Sequence, residues 1–173
     1  MKLTLRFAAP FIAFALVAGF AGRAVLAGDA DAFLGTWTLN AAKSSLPQGG
    51  APTDVTLTVT DAGGGKYKSV TEAAVAGQSF KVEITFAIDG KDYVPVVTPA
   101  PPGGMPAMSQ SYERVSAKSY KSASKMNGQV LATSTSEVSA DGKTMTVTTT
   151  AEAAAAAAGA AAGTVNKLVF DKK

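Results

Sequence analysis

The chain has 173 residues, with 16 Lys and Arg, 13 Asp and Glu, one tryptophan, and neither cysteine nor histidine. The missing cysteine excludes disulfide bonds and thiolate nucleophiles, and the missing histidine removes the commonest general base. Together they remove the usual ligands of transition metals, so we expect no metal and no cofactor.

The first 27 residues are typical of a secretory signal peptide. Lys2 and Arg6 precede an apolar stretch at residues 7–20, and residues 25–27 offer a small-residue cleavage site after Ala27. The apolar stretch is short for a membrane span of about 20 residues. We therefore expect a single domain at residues 28–173, exported to the periplasm or beyond with no stable membrane anchor. An uncleaved N-terminal anchor is the alternative.

The net charge of the expected mature domain is zero. Lys2, Arg6 and Arg23 lie in the signal segment and no acidic residue does, so the remainder carries as many basic as acidic groups. A nucleic-acid binder needs a basic footprint, which this domain lacks. It also has no Lys- and Arg-rich run for an anionic membrane. Its length suits one domain, and we expect a monomer.

Strand patterns follow the signal segment in chain order. Residues 79–88 alternate apolar and polar side chains, with Phe80 and Phe86 on the apolar face, and residues 55–59 and 145–149 alternate in the same way. Three dipeptides that suit type I′ hairpin turns, in which both central residues need positive φ, separate such runs. They are Asp89–Gly90, Asn127–Gly128 and Asp141–Gly142.

The pattern predicts an all-β fold: an antiparallel up-and-down meander of about ten strands that closes into a barrel or folds into a sandwich. The predicted strands are residues 32–40, 54–61, 66–75, 79–88, 91–97, 108–116, 119–126, 129–138, 143–151 and 164–171.

Three segments interrupt the strands. Residues 41–53 predict a short helical turn and a loop. The Pro- and Gly-rich residues 98–107 cannot form an interior strand and are expected to flank the barrel mouth. The alanine-rich residues 151–163 predict a helical or mobile loop, because so short a run is a marginal helix by itself.

The stretch FLGTWTLN, residues 33–40, followed by Lys43 and Ser44, resembles the N-terminus of bacterial exported lipocalin-like proteins of the calycin group. The DGK motifs at residues 89–91 and 141–143 recur in a comparable layout. The chain departs from the classical lipocalin pattern because it has no disulfide. The resemblance implies a closed barrel in which Trp37 packs across one end. A place for Trp37 in a ligand floor is the less favoured alternative.

The candidate ligand-binding residues are aromatic or basic. Phe80 and Phe86 either line an apolar cavity or fill the core, and the core is favoured. Tyr112 and Arg114 share a strand face with Gln110, and an inward Arg114 would suit a ligand carboxylate. A solvated edge with Arg114 in water is the favoured alternative.

Two further strand faces are semi-polar. One carries Tyr120, Ser122 and Ser124, and the next carries Ser134 and Ser136. If these faces point inward, their small hydroxyl side chains leave volume unfilled, which favours a cavity. We include Tyr120 among the candidate ligand-binding residues for this reason.

No catalytic site is predicted. The chain has no GxSxG motif and no histidine to activate a serine, and spacings such as Ser119/Lys121 or Ser122/Lys125 are expected by chance. The favoured function is non-catalytic binding of a small apolar or amphipathic molecule inside an exported barrel. The alternative is a structural or protein-interaction module of the cell envelope, with a packed barrel or sandwich and no ligand pocket.

Overall fold

The structure is a computed structural model that describes residues 31–45, 52–75, 77–100, 106–158 and 160–173. Its strands are β1 (Gly35–Leu39), β2 (Thr53–Gly63), β3 (Lys66–Val75), β4 (Gln78–Ala87), β5 (Asp92–Tyr93), β6 (Val96–Thr98), β7 (Met108–Ser116), β8 (Ser119–Met126), β9 (Gln129–Val138), β10 (Thr144–Ala151) and β11 (Val165–Lys172). Two short 3₁₀ helices span Ala41–Lys43 and Ala153–Ala158.

All eleven strands belong to one antiparallel sheet, in the order β5-β7-β8-β9-β10-β11-β1-β2-β3-β4-β6. The sheet curls through 300° into a half-barrel, and the last strand, β11, pairs with the first. The predicted all-β, up-and-down antiparallel fold is therefore confirmed.

The strand positions agree closely with the predicted ones, and β8 and β9 begin and end at the predicted residues. The predicted strand 91–97 was wrong: it is divided into β5 and β6, because Pro95 between them has no N–H to donate to a ladder. The expected turn at 41–53 is the helix Ala41–Lys43, while residues 46–51 lie outside the described part. Residues 101–105 of the expected mouth loop also lie outside it.

The hairpin turns differ from one another. Asn127 and Gly128 have φ values of 50° and 79°, as a type I′ turn requires. At the two Asp-Gly turns only the glycine has positive φ. There the carboxylates of Asp89 and Asp141 instead accept hydrogen bonds from the backbone N–H two residues further on.

The inner face of the curled sheet has two unlike walls. The wall from β11 through β1 and β2 to β4 buries mainly apolar side chains. The wall from β7 to β10 buries many hydroxyl side chains. The predicted inward alternation of residues 55–59 and 145–149 is confirmed, and the semi-polar faces of β8 and β9 also point inward.

The seam of the half-barrel lies between its edge strands. No ladder joins β5 to β6 in the described sheet, although the two are consecutive in the chain. Val94 and Val96 beside the seam are 73% and 61% exposed, whereas Pro95 between them is buried. The seam is thus the one place along the described sheet where neighbouring edges are not held by a ladder.

Candidate functional site

An ionic cluster closes one end of the half-barrel. Asp31, which precedes β1, forms a salt bridge with Arg114 on β7. The Asp31 carboxylate also accepts hydrogen bonds from the hydroxyls of Tyr120 at 2.8 Å and Tyr67 at 2.9 Å, and from the backbone N–H of Phe33 at 3.1 Å. One carboxylate therefore joins β3, β7 and β8 to the segment that leads into β1.

The favoured prediction for Arg114 was wrong. Its side chain is 7% exposed rather than solvated, and its guanidinium lies 4.6 Å from the centre of the Tyr120 ring. A buried guanidinium needs a compensating charge, which Asp31 supplies. The chain's own carboxylate thus occupies the place that a ligand carboxylate would take in the alternative prediction.

The titration of this cluster follows from its contacts. Burial raises the pKa of the Asp31 carboxyl, but hydrogen bonds from Phe33, Tyr120 and Arg114 outweigh burial and leave the pKa below its usual value. Burial and the hydrogen bond to Asp31 raise the pKa of Tyr67 to about 12. Burial and the Asp31 charge also raise the pKa of Tyr120. At neutral pH the cluster therefore holds an ionised pair between two neutral phenols.

Trp37 lies fully buried beside this cluster, and its indole N–H donates a 2.9 Å hydrogen bond to the carbonyl oxygen of Phe33. The ammonium of Lys172 lies 4.8 Å from the centre of the indole rings, as a cation–π contact. Gly35 has φ of +126°, and a Cβ there would come within 2.9 Å of the Lys172 side chain. The glycine of the Gly-x-Trp motif therefore leaves room for the lysine that covers the tryptophan.

The aromatic candidates meet on the inside of the seam. Phe86 on β4 stacks on Tyr112 on β7, with ring centroids 4.3 Å apart, and the Tyr67 ring also stacks on Phe86, with centroids 5.7 Å apart. Phe86 and Tyr112 are buried, whereas Phe80 is only half-buried and packs at the margin of the core. The structure thus places five of the six candidates inside the half-barrel and Phe80 near its edge.

A hydroxyl patch covers the inner face of β7 to β10. Its members are polar and at most 8% exposed: Gln110, Ser122, Ser124, Ser134, Ser136 and Thr149. The Ser134 and Thr149 hydroxyls are hydrogen-bonded to each other at 2.7 Å, and the Tyr112 hydroxyl donates to Gln110 at 2.6 Å. Among the residues that the structure describes, the buried hydroxyls without a hydrogen-bond partner are those of Thr38, Ser122, Ser124 and Ser136.

Two depressions of the surface have volumes of about 410 and 430 Å³. The first lies over β7 to β10 and is lined largely by side chains of the outer face, among them Thr133, Thr135 and Thr148. The second lies near the seam and includes Phe80 and Thr98. Both are open to solvent. The first also includes Tyr112, Ser122 and Ser134, whereas Trp37, Phe86 and Tyr120 line neither depression.

The site offers hydrogen bonding, apolar contact and one ion pair. Within the described residues, no cluster of three or more acidic, histidine or cysteine side chains is arranged to hold a metal ion. Lys125 is paired with Asp92 at 2.7 Å, so the Ser122/Lys125 spacing does not form a serine–lysine contact.

The described ranges of the chain contain no helix of the length and apolarity that a membrane crossing requires.

Sequence reasoning missed three residues of the site: Asp31, Tyr67 and Lys172. Periodicity identifies which residues share a face, but it does not pair a carboxylate with an arginine 83 residues away. The Gly-x-Trp motif identified the end of the half-barrel at which the ionic cluster lies, but it did not identify the residue that covers Trp37. Comparison with known proteins adds nothing further, since no family model and no curated protein matches the chain.

Proposed function

We propose that this protein binds, without catalysis, a small amphipathic molecule inside the half-barrel. Four buried hydroxyls have no partner among the described residues, and the observation that carries the proposal is that three of them, at Ser122, Ser124 and Ser136, lie together on β8 and β9. An unsatisfied buried hydroxyl costs about 1–3 kcal/mol, and native interiors pair nearly all such groups. A bound molecule with polar atoms would remove that cost.

The two walls of the interior suit an amphipathic molecule. Its apolar part would lie against the side chains of β1, β2 and β4, among them Leu57 and Ile84, and its polar part would face the hydroxyl patch. Small side chains on β8 and β9 occupy less of the interior than larger ones would.

The seam provides access to the interior. A molecule that passes between β5 and β6 breaks no ladder hydrogen bond, because none joins them in the described sheet. It must instead part the Phe86 and Tyr112 rings, which stack behind the seam. Ring separation is a side-chain motion that needs no strand to unpair.

The proposal includes the lipocalin-like character and the export of the protein. Support for the first comes from Gly35 and Trp37 at the start of β1 of a curled antiparallel meander. Support for the second comes from the signal-like pattern of residues 1–27, which predicts a periplasmic or extracellular location. We propose that the exported domain is a monomer.

Native mass spectrometry of gently purified protein, combined with titration of the neutral dye Nile red, tests the binding proposal. We expect either a co-purified small molecule or saturable dye fluorescence that a monoacylglycerol reverses. Protein that carries no added mass and gives no saturable dye signal would contradict the proposal.

The exposed valines at the seam favour a second candidate, a protein-interaction module of the cell envelope. Val94 and Val96 lie beside the free edges of β5 and β6, where exposed apolar strands pair readily with other chains. This candidate predicts that any dye signal disappears in Val94→Ser/Val96→Ser. The binding proposal predicts that the dye signal survives in that variant and falls in variants of the hydroxyl patch.

A further inference from the structure

The charge and hydrogen-bonding state of the interior restricts the kind of molecule it accepts. We infer that the ligand is uncharged and carries hydroxyl, ester or amide groups, which hydrogen-bond to Ser122, Ser124 and Ser136. This inference rests on the binding function proposed above and names the chemical class of its ligand.

The three serines form one continuous site on two paired strands. Ser122 is opposite Ser134 in the β8–β9 ladder, Ser124 is opposite Ala132, and Ser136 is opposite Tyr120. Their hydroxyls therefore lie on one face within neighbouring register positions, and all three are more than nine-tenths buried. A serine hydroxyl both donates and accepts, so the site suits a neutral group of either polarity.

The charge of Arg114, which could neutralise a ligand carboxylate, is already neutralised by Asp31. Arg114 points into the interior, and its guanidinium is bound by the Asp31 carboxylate. An incoming carboxylate would compete with Asp31, which also holds the hydroxyls of Tyr67 and Tyr120. Apart from this ion pair, the buried polar residues in the described part of the chain are uncharged.

The energies favour a neutral ligand. Moving a ligand carboxylate into the interior without a partner costs several kcal/mol. If the ligand displaced Asp31 from Arg114, the Asp31 carboxylate would be left buried without its countercharge. Hydrogen bonds from a neutral ester or hydroxyl to the three serines each contribute about 0.5–1.5 kcal/mol and leave the ionic cluster intact. The apolar remainder of the ligand is favoured by burial against the opposite wall.

Two probes with the same acyl chain test this inference: 1-monododecanoylglycerol, which is neutral, and dodecanoate, which is charged. Binding to the full domain is measured by isothermal titration calorimetry, below the concentrations at which either probe aggregates. We expect the glyceride to bind at least about tenfold more tightly than dodecanoate at neutral pH. Equal or tighter binding of dodecanoate would overturn the inference while leaving the binding function intact.

Serine variants locate the contact. Ser124→Ala/Ser136→Ala should weaken glyceride binding about tenfold without destabilising the protein, because each substitution removes a hydroxyl that has no partner in the described part of the chain. Ser111→Ala, on the outer face of β7, is the matched control and should bind as the wild type does. Unchanged binding in the double variant would show that the hydroxyls do not contact the ligand. Absence of binding by both probes would instead contradict the proposed function.

Discussion

Asp31 and Arg114, 83 residues apart in the chain, form an ion pair inside one end of the half-barrel. Their side chains are 10% and 7% exposed, and the carboxylate also accepts hydrogen bonds from two tyrosine hydroxyls and from the Phe33 backbone N–H. The pair ties the segment before β1 to the far wall of the sheet. It also removes from the interior the charges that would otherwise attract an ionic ligand.

Replacing Asp31 should destabilise the fold strongly. In Asp31→Asn the guanidinium of Arg114 stays buried without its countercharge, and breaking a buried pair in this way costs about 3–5 kcal/mol. Urea unfolding followed by circular dichroism measures the loss. Asp31→Asn/Arg114→Met is the control, and its loss should be smaller than the sum of the losses measured in Asp31→Asn and in Arg114→Met alone. Additive losses would show that the two side chains are not energetically coupled.

Acid should weaken the same cluster. The pKa of Asp31 in the folded protein lies below the usual value of 3.8, so the stability from its charged form is complete above that value. This stability disappears as the pH falls through the folded pKa. Emission from Trp37, the only tryptophan, reports unfolding in urea at a series of pH values. Asp31→Asn should lack this part of the acid dependence; an identical pH profile in both proteins would contradict the assignment.

Gly35 and Lys172 should be coupled sterically. Gly35→Ala places a Cβ at φ of +126° and within 2.9 Å of the Lys172 side chain, so we expect a loss of about 2 kcal/mol. Lys172→Ala removes the obstacle but not the backbone strain. In chemical denaturation, the loss caused by Gly35→Ala should therefore be smaller in the Lys172→Ala background. A loss of equal size in both backgrounds would show that the contact is unimportant.

Serines of the hydroxyl patch should respond oppositely to truncation. Ser124→Ala removes a buried hydroxyl without a partner and should raise the free energy of unfolding by about 1 kcal/mol in ligand-free protein. Ser134→Ala leaves the Thr149 hydroxyl without its partner and should lower it by about 1–3 kcal/mol. Thermal unfolding compares the two variants. Destabilisation by Ser124→Ala would mean that its hydroxyl has a partner in solution.

Sequence periodicity predicts most of this fold, because strands with one buried face alternate with a period of two and the Gly-containing turns are distinctive. The predicted bounds of β8 and β9 match those of the structure. Periodicity is less informative where a single residue interrupts the pattern, as Pro95 does between β5 and β6.

The site was less predictable than the fold. The aromatic members, such as Phe86 and Tyr112, were found because large apolar side chains on strands are usually buried. Arg114 was assigned to solvent because neither face of its strand is clearly apolar and a buried arginine needs a partner. Only the position of Asp31 explains why the burial of Arg114 is tolerated. Long-range pairing of charges depends on how the sheet curls, and local sequence patterns do not encode that curl.

A crystal structure of the protein grown with 1-monododecanoylglycerol tests the central claim most directly. We predict electron density for the lipid inside the half-barrel, with its glycerol or ester oxygens within hydrogen-bond distance of Ser122, Ser124 or Ser136, and with the Asp31–Arg114 pair unchanged. An interior without lipid density, or lipid bound only in the outer groove over Thr133 and Thr148, would contradict it.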